Sequence, residues 1–464
     1  MRRRDRLAVG VAIGALVAAI SGAGLIGLAA FSIAVATVVW FQVSPGLLVS
    51  LALAATVFST HTQDMGLPIQ PERVLLAAGL ASLAVGLPFS FSRQRLPQLR
   101  WRAVHSWMLL AIAVALISML ATKATVPDGS FILLDDYGII PFVLFALAPA
   151  LYPNERERSR LVAVLVVVGW YLAITAFLEG IGLKHLTWPA YINNPSIGAH
   201  FDRARGPFVE ATINGLGLLG GVTAGIIGVQ LWRSRAAKWV AGALIPFGLL
   251  GCVFTLTRGV WIAAAAFTLV AILGNPRTRR FFVPVVLAAL AALLLAFTLV
   301  PGLTQKADTR ASDQQPVWDR LNNNRAAIVA FEHHPFTGLG WQRTVGNPYL
   351  WQADTYPLTG ATVVVHNVFL SNLAQLGLVG FVPWCAALVL GVLLPALRRA
   401  PPPLLPFRAG LQAFLVAWLG IAMFAPLAGP FPNYLLFLLA GIVSAPQTSF
   451  PPRIAPVQVV SAGG

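Results

Sequence analysis

The sequence predicts an all-α protein threaded many times through a membrane, and three observations predict it. The first is composition: 57% of the 464 residues are apolar and 10% charged, where a soluble domain carries about 25% charged residues. Mean hydropathy is +0.77. Such a chain cannot cover a water-facing surface, which excludes a soluble enzyme, and it is too apolar for a disordered chain. The second is that apolar residues gather in runs near the ~20 residues a helix needs to cross the hydrocarbon. The third is that short basic clusters recur between alternate runs.

Taken in order, the runs cover residues 7–21, 24–41, 45–59, 74–91, 107–122, 131–152, 161–181, 214–232, 239–256, 259–274, 281–300, 376–397, 410–428 and 431–443. Only Gly22 and Ala23 lie between the first two, which can equally be one long tilted helix. The 41 glycines and 33 prolines are compatible with membrane helices, where both are commoner than in soluble ones. The start MRRRDR is basic, but no A-x-A site follows the first run. That run is expected to be a retained anchor.

Orientation follows from Lys and Arg. With the N-terminus in the cytoplasm, fourteen spans put inside Arg2, Arg3, Arg4 and Arg6; Arg93, Arg95, Arg100 and Arg102; Arg156, Arg158 and Arg160; Arg233, Arg235 and Lys238; Arg277, Arg279 and Arg280; Arg398, Arg399 and Arg408; and Arg453. That is 21 of the 32 basic residues. The net charge of +16 is thus mostly topology, and no nucleic-acid partner is expected. The outer arginines run against the bias and need another reason. They include Arg203, Arg205, Arg258, Arg310, Arg320, Arg325 and Arg343. An anionic substrate is one such reason.

Two outer segments are long, about 182–213 and 301–365. The second holds five acids, five bases, Trp318, Trp341, Trp351, Tyr349 and Tyr356. Irregular backbone of this kind is expected outside the hydrocarbon, with DRLNNNRAAIVAFEHH as a short amphipathic helix at the interface. The expected organisation is therefore spans in 1–300, a large extracytoplasmic loop over 301–365, the last spans in 366–445 and a cytoplasmic tail over 446–464.

Several chemistries lack their usual signatures. There is no P-loop, no G-x-G-x-x-G after a strand, no H-E-x-x-H and no C-x-x-C. Cys252 and Cys385 lie in apolar runs and make neither a disulfide framework nor a metal cluster. No cofactor and no metal are expected. Asp135, Asp136 and Glu179 are acids in or at the end of spans, hence functional candidates. The plainer reading pairs them with outer-rim arginines.

Four stretches carry the remaining candidates. In HNVFLSNLAQLGLVG, His366-Asn367 is followed after nine residues by Gly377 and then Gly380. Alone, His366 reads as an interfacial histidine. Arg258 lies in LTRGVWIA, where it is either a snorkelling anchor or an anion site at the start of the next helix. Arg320 lies in RLNNNRAAIVAFEHHPFTGLGW, with Pro335, Gly338 and Gly340 behind it; alone it reads as a solvated helix charge. Arg203 and Arg205 lie in DRARGPFVEATING, where a salt bridge with Asp202 or Glu210 competes with ligand binding.

Together these stretches resemble the bacterial O-antigen ligase and polymerase superfamily. His366-Asn367-x9-Gly377-x-x-Gly380 is similar to its His-[Asn/Ser/Gln]-x9-Gly-x-x-Gly pattern. Thr257-Arg258-Gly259 is similar to its Ser-Arg-Gly segment. The stretch from Arg320 is similar to a helix that ends in Pro-x-x-Gly-x-Gly, and Arg203-Ala-Arg-Gly206 to an Arg-x-x-Gly element. Departures are Thr257 for Ser, Asn324 where a Trp is common, and Glu210-Ala-Thr-Ile-Asn214 in place of Asn-Pro-Asn.

The resemblance implies a glycosyltransferase C-like fold, of about twelve spans against the fourteen runs counted here, and inverting, metal-independent glycan transfer. The donor would be a glycan on polyprenyl (undecaprenyl) diphosphate and the acceptor a hydroxyl of a glycolipid or glycan. It implies His366 as base near an ordinary imidazole pKa of ~6.5, Arg258 and Arg320 facing the leaving diphosphate, and Arg203, Arg205 and Asn367 as substrate-binding residues. A ligase to lipopolysaccharide core comes first. A polymerase, or a ligase to protein or wall polymer, has the same chemistry; the Arg-x10-Gly signature of some polymerases does not start at Arg203, Arg205, Arg258, Arg320 or Arg343. A non-enzymatic transporter of lipid-linked glycan ranks third.

Overall fold

A computed structural model describes residues 44–67, 69–90, 101–124, 130–274, 314–342, 365–427 and 429–445, with scattered positions between 279 and 312. Among the described residues the fold is helical throughout, without a strand. The expected runs 7–21 and 24–41, nearly all of 281–300, the loop positions Arg310, Arg343, Tyr349, Trp351 and Tyr356, and the tail 446–464 lie outside them.

Twelve α-helices carry the argument: α1 Pro45–Ala55, α2 Pro71–Ser90, α3 Ala103–Thr122, α4 Ile139–Leu151, α5 Glu155–Gly180, α6 Ala211–Leu231, α7 Arg235–Phe254, α8 Arg258–Leu273, α9 Gln315–His333, α10 Val368–Leu388, α11 Leu405–Ala422 and α12 Pro430–Val443. Among the described residues seven helical stretches are long and apolar enough to cross a membrane, and three shorter apolar helices accompany them. Their starts follow ordinary capping chemistry. Ser44 accepts a hydrogen bond from Leu47 N ahead of Pro45. Asn154 accepts from Glu157 N at 3.0 Å, with Glu155 and Glu157 in the first turn of α5.

Two expected spans differ in detail. The run 131–152 begins as a π-helix over Ile132–Tyr137 and breaks at Gly138 before α4. The run expected from residue 376 begins earlier, at Val368, directly after His366-Asn367. Asn367 Oδ1 accepts from Phe369 N and Leu370 N at 3.0 and 3.1 Å, which starts the helix there.

The core is built around α6, whose membrane window is 83% buried. It packs against α5, α7 and α11. Its glycines permit this: a Cβ on Gly169 of α5 would sit 2.7 Å from Gly221 Cα, so the two backbones pack nearly in contact. The helix α10 lies on α3, and α12 on α4. Trp101 and Trp239 are among the most exposed residues, 68% and 78%. Each sits beside an arginine-rich helix start, as aromatic residues do at a membrane–water boundary.

Candidate functional site

The start of α8 is one corner of the site. Leu256 has φ +47° and turns the chain out of α7. Thr257 then takes the N-cap position of α8, its Oγ1 donating back to Thr255 O at 2.9 Å, and Arg258 is the first residue of the helix, exposed. The segment before α6 is docked onto this turn. Ala204 N donates to Phe254 O at 3.0 Å, and Arg203 Nη1 donates to Thr257 Oγ1 at 3.3 Å. Arg203 and Arg258, 55 positions apart in sequence, are thereby neighbours.

Gly206 makes the docking possible. Its φ is +55°, and a Cβ there would lie 2.8 Å from Cγ of Asn214. Asn214 is fully buried and donates through Nδ2 to Ala204 O at 3.1 Å. Glu179 completes the clamp by accepting from Gly206 N at 2.8 Å and Arg205 N at 3.3 Å. The pairing expected between Glu179 and an arginine is therefore made through backbone amides.

Arg205 itself turns inward and is 0% exposed. Its Nη2 donates to Ile192 O at 3.0 Å and Asn194 O at 2.6 Å, its Nη1 to Ile197 O, and its guanidinium lies 4.7 Å from the Phe201 ring centroid. These donors are spent on the 190–201 loop.

Arg320 comes from α9 and faces the same corner half-buried. Burial and then the charge of Arg258 push its pKa below an arginine's ordinary value, while Glu210 pulls it back up. The guanidinium groups of Arg258 and Arg320 are thus within electrostatic reach of each other. Glu210 caps α6 by accepting from Ile213 N at 2.6 Å. The sequence offered Glu210 as a salt-bridge partner of Arg203 or Arg205; its N-cap role on α6 and its influence on Arg320 appear only in the structure.

His366 stands at the foot of α10, beside the part of α9 that follows Arg320. Its neighbour Val365 packs with Ala326, Ala327 and Ala330 of α9 and Ala374 of α10. Asn367, expected to bind substrate, uses its Oδ1 to cap α10.

The glycine pattern behind His366 has a geometric explanation. α10 is interrupted at Gly377, with φ +56°. The segment after α9 fills the gap with backbone: Leu339 N donates to Ala374 O at 2.8 Å, Gly340 N to Gln375 O at 2.9 Å, Leu378 N to Pro335 O at 2.9 Å and Val379 N to Phe336 O at 3.0 Å. Pro-x-x-Gly-x-Gly and Gly-x-x-Gly are two halves of one knot. Trp341, 2% exposed, seats it against Tyr137 at 5.2 Å and donates from its N to Ser118 Oγ at 2.9 Å.

The acids fall on the adjoining wall. Asp135 pairs with Arg73, Nη1 to Oδ1 at 2.8 Å, and accepts from Tyr434 OH. Asp136 accepts from Gly429 N at 3.0 Å. Asp135 thus pairs with an arginine, and Asp136 with a backbone amide. Among the described residues no group of three His, Cys, Asp or Glu is placed to hold a metal ion.

No curated protein sequence matches this chain. A family model does: residues 242–385 match O-antigen ligase, Wzy_C. The matched stretch includes Arg258, Arg320, His366 and both halves of the glycine knot. The family match supports an enzyme of the membrane ligase or polymerase type acting on lipid-linked glycan. The match over 242–385, on a multi-pass helical fold, supports an O-antigen ligase-like superfamily assignment.

Proposed function

We propose that this protein transfers a glycan from polyprenyl (undecaprenyl) diphosphate to an acceptor hydroxyl at the outer face of the bacterial inner membrane, as an O-antigen ligase of lipopolysaccharide biosynthesis. The observation that carries the reading is the approach of Arg258 and Arg320, from two separate elements, with Arg203 hydrogen-bonded to the cap of the Arg258 helix. Like charges gathered in a half-buried corner repel one another, and an anion between them removes that cost. A diphosphate suits two planar guanidinium groups, which bind phosphate oxygens bidentately.

The chemistry follows from that placement. The bond from the sugar's anomeric carbon to the diphosphate oxygen breaks, and polyprenyl diphosphate leaves with the electron pair. Arg258 and Arg320 meet the charge that develops on it. The acceptor oxygen bonds to the anomeric carbon from the opposite side, inverting it, and its proton passes to the imidazole of His366. Arg203 holds the donor's phosphate edge. Arg205 and Asn367 act one step back, fixing the loop and the helix from which Arg203 and His366 project. Neither a metal nor another cofactor takes part, and the N-terminus and basic clusters lie on the cytoplasmic side.

The test is His366→Ala in purified protein supplied with lipid-linked donor. Transfer is expected to fall ~10²–10⁴-fold, the usual contribution of a general base, with donor binding retained. Turnover near that of the unaltered protein would reject His366 as the base.

A further inference from the structure

The outer segment that follows α5 does not rise directly into water. Trp188 O accepts a hydrogen bond from Tyr171 OH at 2.7 Å, and Tyr171 lies nine residues before the end of α5. The Phe58 ring packs against both, 5.5 Å from Tyr171 and 5.7 Å from Trp188. The chain therefore turns at Gly182, with φ +85°, and runs back down along the helix it has just left.

The depth can be placed from the opposite end. Glu157 accepts from Ser44 Oγ at the starts of α5 and α1, and it pairs with Arg160 at 2.7 Å. A charged cluster of this kind belongs at a membrane boundary rather than in the hydrocarbon, and the depth is reckoned from it. Tyr171 lies fourteen positions beyond Glu157 within α5, about 21 Å at 1.5 Å per residue; Phe58 lies fourteen beyond Ser44, a slightly longer rise because its last three residues are in a 3₁₀ helix. The hydrocarbon is ~30 Å thick. Tyr171, Phe58 and the Trp188 carbonyl then lie roughly 9 Å short of the far boundary.

The surface at that level is apolar apart from the exposed His185, while Lys184 turns away to donate through Nζ to Phe201 O. Val167 is 68% exposed and Ile174 51%, and with Tyr171 they lie at i, i+4 and i+7 on one stripe of α5. Leu186 and Trp188 add 58% and 61% exposure beside it. Three of the N–H groups that reach them are satisfied within the chain. Leu183 N donates to Leu178 O at 2.8 Å, Leu186 N to Leu183 O at 3.1 Å and Thr187 N to Lys184 O at 2.9 Å, and Pro189 has no N–H to satisfy. Closing these groups internally is what hydrocarbon demands of non-helical backbone.

We infer that residues 183–189 form a membrane-inserted hook, with Leu186 and Trp188 in contact with the hydrocarbon chains of the outer leaflet. This reading departs from the expectation that the whole 182–213 segment sits outside the hydrocarbon. The inference rests on the fold alone and not on the proposed glycan transfer.

The experiment is spin labelling in liposomes of the full chain with Cys252 and Cys385 replaced by Ala. Labels go at Trp188→Cys and, as a second independent position, Leu186→Cys. Ile174→Cys serves as the lipid-facing reference and Ser196→Cys, on the exposed 194–200 turn, as the aqueous one. Labels at 186 and 188 are expected to collide with oxygen as the 174 label does, and at least ~5-fold less with a water-soluble nickel chelate than the 196 label. A chelate accessibility equal to that at 196 would overturn the hook. Exclusion of both reagents, with dipolar broadening between labels, would also overturn it by showing a second copy of the chain on this face.

Discussion

Gly338 and Gly377 meet backbone to backbone: a Cβ on either would lie 2.6 Å from the amide nitrogen of the other. Both have positive φ, +65° and +56°, so each is required twice, for conformation and for space. Gly377→Ala is expected to destabilise the protein by more than the ~1–2 kcal/mol that a left-handed residue costs, because the facing strap must also move. It should lower transfer by displacing the start of α10 from α9. Thermal unfolding in detergent and transfer rate, measured together, check this. An unchanged melting temperature would show that the knot yields without cost.

Arg258→Lys and Arg320→Lys are each expected to lose most activity although the charge is kept. An ammonium is a point charge and cannot reproduce a planar fork on a diphosphate. The measurement is transfer at saturating donor. Lys variants near normal activity would mean that positive potential alone suffices.

Arg205→Lys should behave differently from those two. Arg205 is fully buried and donates to Ile192 O, Asn194 O and Ile197 O. One ammonium cannot replace the fork at all three carbonyls, and groups left unpaired cost about 1–3 kcal/mol each. The expected signature is a lower unfolding temperature, with faster proteolysis in the 190–201 loop. A stable variant that has lost only donor affinity would make Arg205 a ligand contact instead.

Transfer should survive exhaustive EDTA treatment. The proposed leaving-group charge is met by Arg258 and Arg320, where other enzymes place a metal. Asp135, the acid best placed to object, is engaged by Arg73 and Tyr434. Activity lost with EDTA and restored by Mg²⁺ or Mn²⁺ would move Asp135 and Asp136 to the centre of the reaction.

The sequence by itself determined the helical, many-span class, because hydropathy over ~20 residues is a local property and the bilayer fixes the length it must match. It determined the candidates Arg258, Arg320 and His366, since each sits in a short pattern of its own. The glycines were visible as spacing but not as partners. The tertiary structure decided that residues 335–340 fill the break at Gly377, because that pairing joins backbone groups about forty positions apart and leaves no periodicity to read. It likewise turned Arg205 inward while Arg203, two positions away, reaches Thr257. Nothing in Arg-Ala-Arg-Gly distinguishes the two; the carbonyls of the 190–201 loop do. The hook at 183–189 was hidden for a related reason. Hydropathy averages over helix-long windows, and a short loop returning along α5 is read as loop until Tyr171 and Trp188 are seen to meet.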